Sequence, residues 1–145
     1  MKTSKPGRVT RVLPERHLNL DEAKKGYPEK FRPESKIFKN IRRGARIFVS
    51  SACAEPQYAV RALQEFVVSE PKAFYDAEVF QVWTMGVAPY TDIKYKDHFR
   101  YNAFFIGRNA RSAVNEGFAD YTPVFLSETP DLFYRRLVPL DVAII

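Results

Sequence analysis

One cysteine, two histidines and six glycines in 145 residues leave several chemistries without material. Cys53 alone cannot close an internal disulfide. With only His17 and His98 beside it, no zinc site is expected either. A thiol nucleophile at Cys53 would need a base close by, and both histidines lie far from it in the sequence. No dinucleotide glycine fingerprint, phosphate-binding lysine loop or serine nucleophile elbow occurs. No apolar run approaches the roughly 18 residues of a membrane helix. The first residues also lack the apolar stretch of a secretory signal. A reduced, cytoplasmic chain without membrane association or metal is the resulting expectation.

What is present fits one globular domain. Hydrophobic residues make up 46% and charged residues 28%. The net charge of +6 is unevenly placed: residues 1–46 hold 14 of the 23 basic and 5 of the 17 acidic residues. The remainder is mildly acidic, with 9 basic residues against 12 acidic ones. Two readings of the basic segment stand side by side. It is an arm for a phosphate polymer or acidic partner, or it is a solvated extension. No helix-turn-helix, zinc finger or RNA-recognition strand pair is present, so nucleic acid is not the expected partner.

Residues 1–33 read as an irregular basic arm with a short helix near Leu20–Lys25. Residues 34–145 read as an α/β domain, ordered from about Ser35. Ile37, Phe38 and Ile41 form the stripe of a short helix, with Gly44 as its C-cap. Strands are expected at Arg46–Ser50, Glu78–Thr84, Tyr101–Ile106, Tyr121–Leu126 and Asp141–Ile145. Helices are expected from Pro56 to about Ser69, after an Asn109 cap, and from Thr129. This alternation predicts a mostly parallel open sheet of about five strands with flanking helices. Asp141–Ile145 reads as a buried parallel strand with no covering segment after it. The domain is therefore expected to be incomplete at its C-terminus and to associate through that strand. A plain edge strand is the alternative.

Ligands of open α/β sheets sit outside the carboxyl ends of the strands. Three loops there carry suitable groups. The first has small residues Ser51, Ala52 and Ala54, then Glu55, Pro56 and Gln57 at a helix start. It suits a carboxylate, a phosphate or a thioester oxyanion. The second, Gly107–Arg111, offers Asn109 and Arg111 for carboxylate or phosphate. The third offers Ser127 beside Glu128. Each group also has a structural reading: Glu55 and Glu128 as dipole partners, Asn109 and Ser127 as helix caps, the arginines as solvated charges.

The stretch Ala103-Phe-Phe-Ile-Gly-Arg-Asn-Ala-Arg-Ser-Ala-Val-Asn-Glu-Gly-Phe-Ala-Asp-Tyr-Thr-Pro-Val-Phe-Leu-Ser-Glu128 resembles the acetyl-CoA hydrolase/transferase family. So do Gly86–Tyr90, Pro139–Ile144 and Ile41–Pro56. The resemblance implies a CoA-transferase fold of two similar halves with the active site between them. It further implies coenzyme A as acyl-CoA substrate and a short carboxylic acid as partner; an oligomer is expected from the uncovered C-terminal strand. Ser51, Ala52, Ala54, Glu55, Pro56, Gln57, Asn109, Arg111 and Ser127 are then the expected substrate contacts. The family's catalytic glutamate belongs to a second half, and no glutamate here matches its motif. The family's first loop is usually glycine-rich, whereas Ser51, Ala52 and Ala54 stand here. A non-catalytic assembly or binding module using the basic arm is the rival reading.

Overall fold

The computed structural model describes residues 19–73 and 75–145, and the chain divides into two compact units between Arg32 and Pro33. Residues 1–18 of the expected basic arm lie outside the described residues.

In the first unit, helix α1 (Leu20–Gly26) buries no side chain and depends on its ends. The Asn19 side chain accepts from the backbone N–H groups of Asp21 (3.1 Å) and Glu22 (3.2 Å). Acids occupy the first turn and lysines the last, as the helix dipole favours. This is the short helix the composition predicts near Leu20–Lys25.

The second unit is a five-stranded sheet, parallel throughout, in the order β4-β3-β2-β1-β5. Its strands are β1 (Arg46–Val49), β2 (Ala77–Gln81), β3 (Phe99–Ala103), β4 (Ala119–Tyr121) and β5 (Val142–Ile144). Register aligns Ile47 with Val79 and Val142, Val79 with Tyr101, and Tyr101 with Ala119. Alternation puts that row on one face, and Phe48, Phe80 and Asn102 on the other. The first face carries the core. Helix α3 (Gln57–Ser69) supplies Val60, Leu63, Phe66 and Val67 to it, and α4 (Arg111–Asn115) supplies Ala113.

The walk from β1 to β4 moves one way across the sheet, and the last connection reverses to reach β5 beside β1. Right-handed crossovers moving in opposite directions lie on opposite faces. Accordingly α5 (Thr129–Tyr134) covers the second face. Phe133 meets Phe48 edge-on at 5.3 Å and Phe104 at 6.1 Å. Asp141 ties β5 in place: its carboxylate accepts the Arg46 N–H at 2.8 Å, and its own N–H donates to the Arg46 carbonyl at 2.9 Å.

Several expectations need correction. Helix α2 (Glu34–Phe38) ends before Ile41, and Ile37 faces outward. Gly44 takes a left-handed φ of +69° in the turn before β1, not at the helix end. Three expected strands run too far toward their carboxyl ends. Val82, Trp83, Phe104, Phe105, Phe125 and Leu126 have the composition of strand residues but lie beyond the ladders. β5 is not buried on both faces: Ala143 is exposed and the strand pairs only with β1 among the described residues.

Candidate functional site

The carboxyl ends of β1, β2 and β3 feed three loops that are bonded to one another. Ser51 Oγ accepts the N–H groups of Val82 (3.0 Å) and Trp83 (3.3 Å), and the Ala52 N–H donates to the Trp83 carbonyl (3.0 Å). The first loop thus continues the pairing of β1 with β2 past the strand ends. Ala52 adopts a φ of 54°, a left-handed conformation that a Cβ disfavours.

Glu55 turns inward and is only 9% exposed. One carboxylate oxygen accepts from Thr84 Oγ1 (2.7 Å), Gln81 Nε2 (3.0 Å) and, at the limit, Tyr90 OH (3.5 Å). The other accepts the backbone N–H groups of Met85 and Gly86, each at 3.0 Å. Gln57 continues the pattern, its Oε1 accepting the Val87 N–H at 2.7 Å. A Cβ added at Gly86 would lie 2.2 Å from that side-chain amide, so Gln57 would have to move to admit one. From the loop after β3, Asn109 Nδ2 donates to the Gly86 carbonyl at 2.7 Å.

Beneath the loops lies a buried polar network. Gln81 donates to the Ser50 carbonyl (2.8 Å) and accepts from Tyr90 OH (2.9 Å) and, more weakly, Tyr101 OH (3.5 Å). Burial holds both tyrosine hydroxyls well above their ordinary value. The charge of Glu55 adds to the effect at each, and neighbouring Tyr101 adds to it at Tyr90. They stay protonated donors.

The rim is apolar. Val82, Trp83, Phe104, Phe105, Val124 and Leu126 line a cleft of about 430 Å³ on the α5 side. Trp83 meets Phe105 edge-on at 5.7 Å and covers Gly107, where a Cβ would lie 2.2 Å from the indole nitrogen. Phe125 and Leu126 are 77% and 73% exposed.

Of the residues selected from the sequence, Ser51, Ala52, Glu55, Gln57 and Asn109 converge around the loop after β2. Pro56 is the N-cap of α3 rather than its first residue, and Ala54 is exposed. Asn109 does not cap α4; Ala110 holds that position without a side-chain cap. Arg111 and Ser127 are exposed, and no hydrogen bond joins them to the cluster among the described residues. Gln81, Thr84, Tyr90 and Tyr101 were not legible as site residues. One signal existed for Gln81: it is a polar residue at an inward position of an apolar strand.

The chain matches the acetyl-CoA hydrolase/transferase N-terminal domain over residues 16–145. It belongs to that family. A succinyl-CoA:acetate/propanoyl-CoA:succinate CoA transferase of Fasciola hepatica is 42% identical over 105 residues, which is 72% of this chain and 21% of the relative. A 4-hydroxybutyrate coenzyme A transferase of Clostridium kluyveri is 38% identical over 119 residues, 82% of this chain and 27% of the relative. Among solved structures, RipA from Yersinia pestis superposes with a TM-score of 0.70 at 17% identity, covering 81% of this chain and 28% of RipA. At that identity the likeness concerns the fold. The chain spans about a fifth to a quarter of the acetyl-CoA hydrolase/transferase relatives it matches.

Proposed function

We propose that this chain forms one wall of the site of an acyl-CoA:carboxylate CoA-transferase, or of an acyl-CoA hydrolase in which water is the acceptor. The observation that carries the reading is the convergence of three carboxyl-end loops on Gly86, beside an apolar cleft, in a chain of this family. The small residues Ser51, Ala52 and Ala54 leave room for the thioester. Asn109, Arg111 and Ser127 offer donors to the anionic parts of acyl-CoA or to the acid. Glu55 and Gln57 Oε1 accept backbone N–H groups, so in this reading they shape the wall, while the buried Gln57 Nε2 has no hydrogen-bond partner among the described residues. Pro56 sets the start of α3 behind it.

The catalytic glutamate is assigned to a second half supplied by further polypeptide. Its carboxylate attacks the acyl-CoA carbonyl and expels CoA thiolate, leaving a mixed anhydride. The thiolate then attacks the glutamyl carbonyl, releasing the first acid as carboxylate and forming an enzyme thioester. The acceptor carboxylate repeats these steps in reverse and leaves as the new acyl-CoA. No metal takes part in this scheme. The basic residues 1–33 are a separate arm and 34–145 the catalytic-wall domain. The setting is a reducing cytoplasm, where the exposed Cys53 stays a free thiol.

The test is an acyl-transfer assay of the purified chain with acetyl-CoA and succinate, alongside sedimentation. Alone, the chain is expected to be inactive, since losing a nucleophile removes orders of magnitude in rate. It is expected to sediment as an oligomer through its open sheet edge. Adding the second half should restore transfer. Substantial transfer by a monodisperse monomer overturns the reading.

A further inference from the structure

Glu55 is the only charged side chain buried among the described residues. A buried carboxylate without compensation is strongly destabilising. Here its compensation comes mostly from the loop after β2, with Gln81 at the end of β2 donating as well. Both donors to one oxygen are consecutive backbone N–H groups, Met85 and Gly86, and the adjacent Thr84 hydroxyl donates to the other oxygen. Residues 84–86 therefore hold the chain's own carboxylate through two successive backbone N–H groups and a hydroxyl.

The consequences run outward along the same loop. Gly86 directs its carbonyl to Asn109 of the loop after β3, and Val87 directs its N–H to Gln57 of the loop after β1. With a Cβ at Gly86 the Gln57 amide would have to swing out of its present place. One anion thus sets the backbone that both neighbouring loops grip.

We propose that Glu55 is a positioning residue: its carboxylate does not touch substrate but seats Thr84, Met85 and Gly86, and through Gly86 aligns Asn109, so that three loops stand as one wall. The proposal deepens the acyl-CoA reading and rests on it where binding is concerned. Glutamine is a poor replacement. It has one acceptor oxygen, and its amide group would oppose either the backbone donors or the Thr84 and Gln81 donors.

The experiment follows amide exchange and side-chain signals of the full chain by NMR, with free coenzyme A as the probe. Glu55→Gln should speed exchange at Met85 and Gly86 at least about tenfold, by loss of a charge-assisted hydrogen-bond pair. It should also move the Asn109 side-chain signal and weaken coenzyme A binding by a similar factor. Thr84→Val removes one donor to the carboxylate but leaves the two backbone donors seated, so exchange at Met85 and Gly86 should quicken less than in Glu55→Gln. In Glu55→Gly, added formate should restore protection at Met85 and Gly86; in Glu55→Gln, where the amide fills the space, it should not.

Unchanged exchange in Glu55→Gln, or equal losses in Thr84→Val, overturns the proposal and leaves the carboxylate as core filling. If the unmodified chain shows no shift with coenzyme A, the acyl-CoA reading fails alone. Exchange and the Asn109 signal still decide the positioning role. Should the Glu55 variants not fold, Asn109→Ala tests the link from an exposed position. Faster exchange at Gly86 and Val87 at an unchanged melting midpoint supports the coupling, and unchanged exchange overturns it.

Discussion

At the residue scale, the first loop carries its strain at a single position. Ala52 holds a φ of 54°, and its N–H and the neighbouring Ser51 hydroxyl are both tied to the loop after β2. A left-handed L-residue is disfavoured by roughly 1–2 kcal/mol, a penalty glycine escapes. Glycine also gains entropy in the unfolded chain, which offsets about 0.5–1 kcal/mol of that relief. Ala52→Gly is therefore expected to raise stability by roughly 0.5–1 kcal/mol, read as a higher urea midpoint with unchanged slope. A lower midpoint would show that the methyl group packs usefully. The usual glycine-rich character of this loop in the family has a physical reading here: the backbone turns left-handed where a glycine is easiest.

At the element scale, the two faces of the sheet are held differently. The core face is closed by α3, with Leu63 fully buried among Ile47, Val79 and Tyr101 in one apolar cluster. The other face carries a charge ladder. Glu78 meets Arg46 at 3.3 Å and Arg100 at 3.6 Å, and Arg100 meets Asp120 at 3.6 Å. These arginines and Asp120 are about half exposed, so solvent screens the pairs. Leu63→Ala should cost about 2–5 kcal/mol through the lost packing and the cavity left behind. Glu78→Gln should cost about 1 kcal/mol, reduced but not abolished by high salt because the shared carboxylate is only 13% exposed. One urea series at low and high salt checks both. A salt-insensitive loss at Glu78 comparable to that at Leu63 would contradict this division of the faces.

At the scale of the whole molecule, the buried tyrosines link stability to alkaline pH. Burial first, and then the charge of Glu55, raises the hydroxyls of Tyr90 and Tyr101 above the ordinary 10.0; Tyr101 adds to the shift at Tyr90. The unfolded chain releases these protons near pH 10, while the native state still binds them. Stability is thus level below that pH and falls above it, by about 1.4 kcal/mol per pH unit for each tyrosine. Tyr90→Phe and Tyr101→Phe should each flatten the alkaline limb, although each also loses a hydrogen bond to Gln81. Denaturant titrations between pH 8 and about 11.5 measure the slope. An unaltered slope in the double variant would rule out these hydroxyls as its source.

The order of elements, the parallel class of the sheet and the helix over Gln57–Ser69 were determined by the sequence alone. Each rests on a local pattern: apolar strand runs, amphipathic spacing, and small or proline residues between them. The motif from Ala103 to Glu128 likewise carried the family. Strand ends were less legible, because Trp83, Phe105 and Leu126 have strand-like composition but form the rim of a cleft. The tertiary structure decided which loops meet and which way Glu55 points. Its partners lie 26 to 35 residues away in the chain, so no local pattern specifies their approach. The same holds for Asn109, which reads as a helix cap yet bonds a carbonyl 23 residues earlier. Periodicity reports what a segment buries; only the packed sheet decides which donors surround a buried charge.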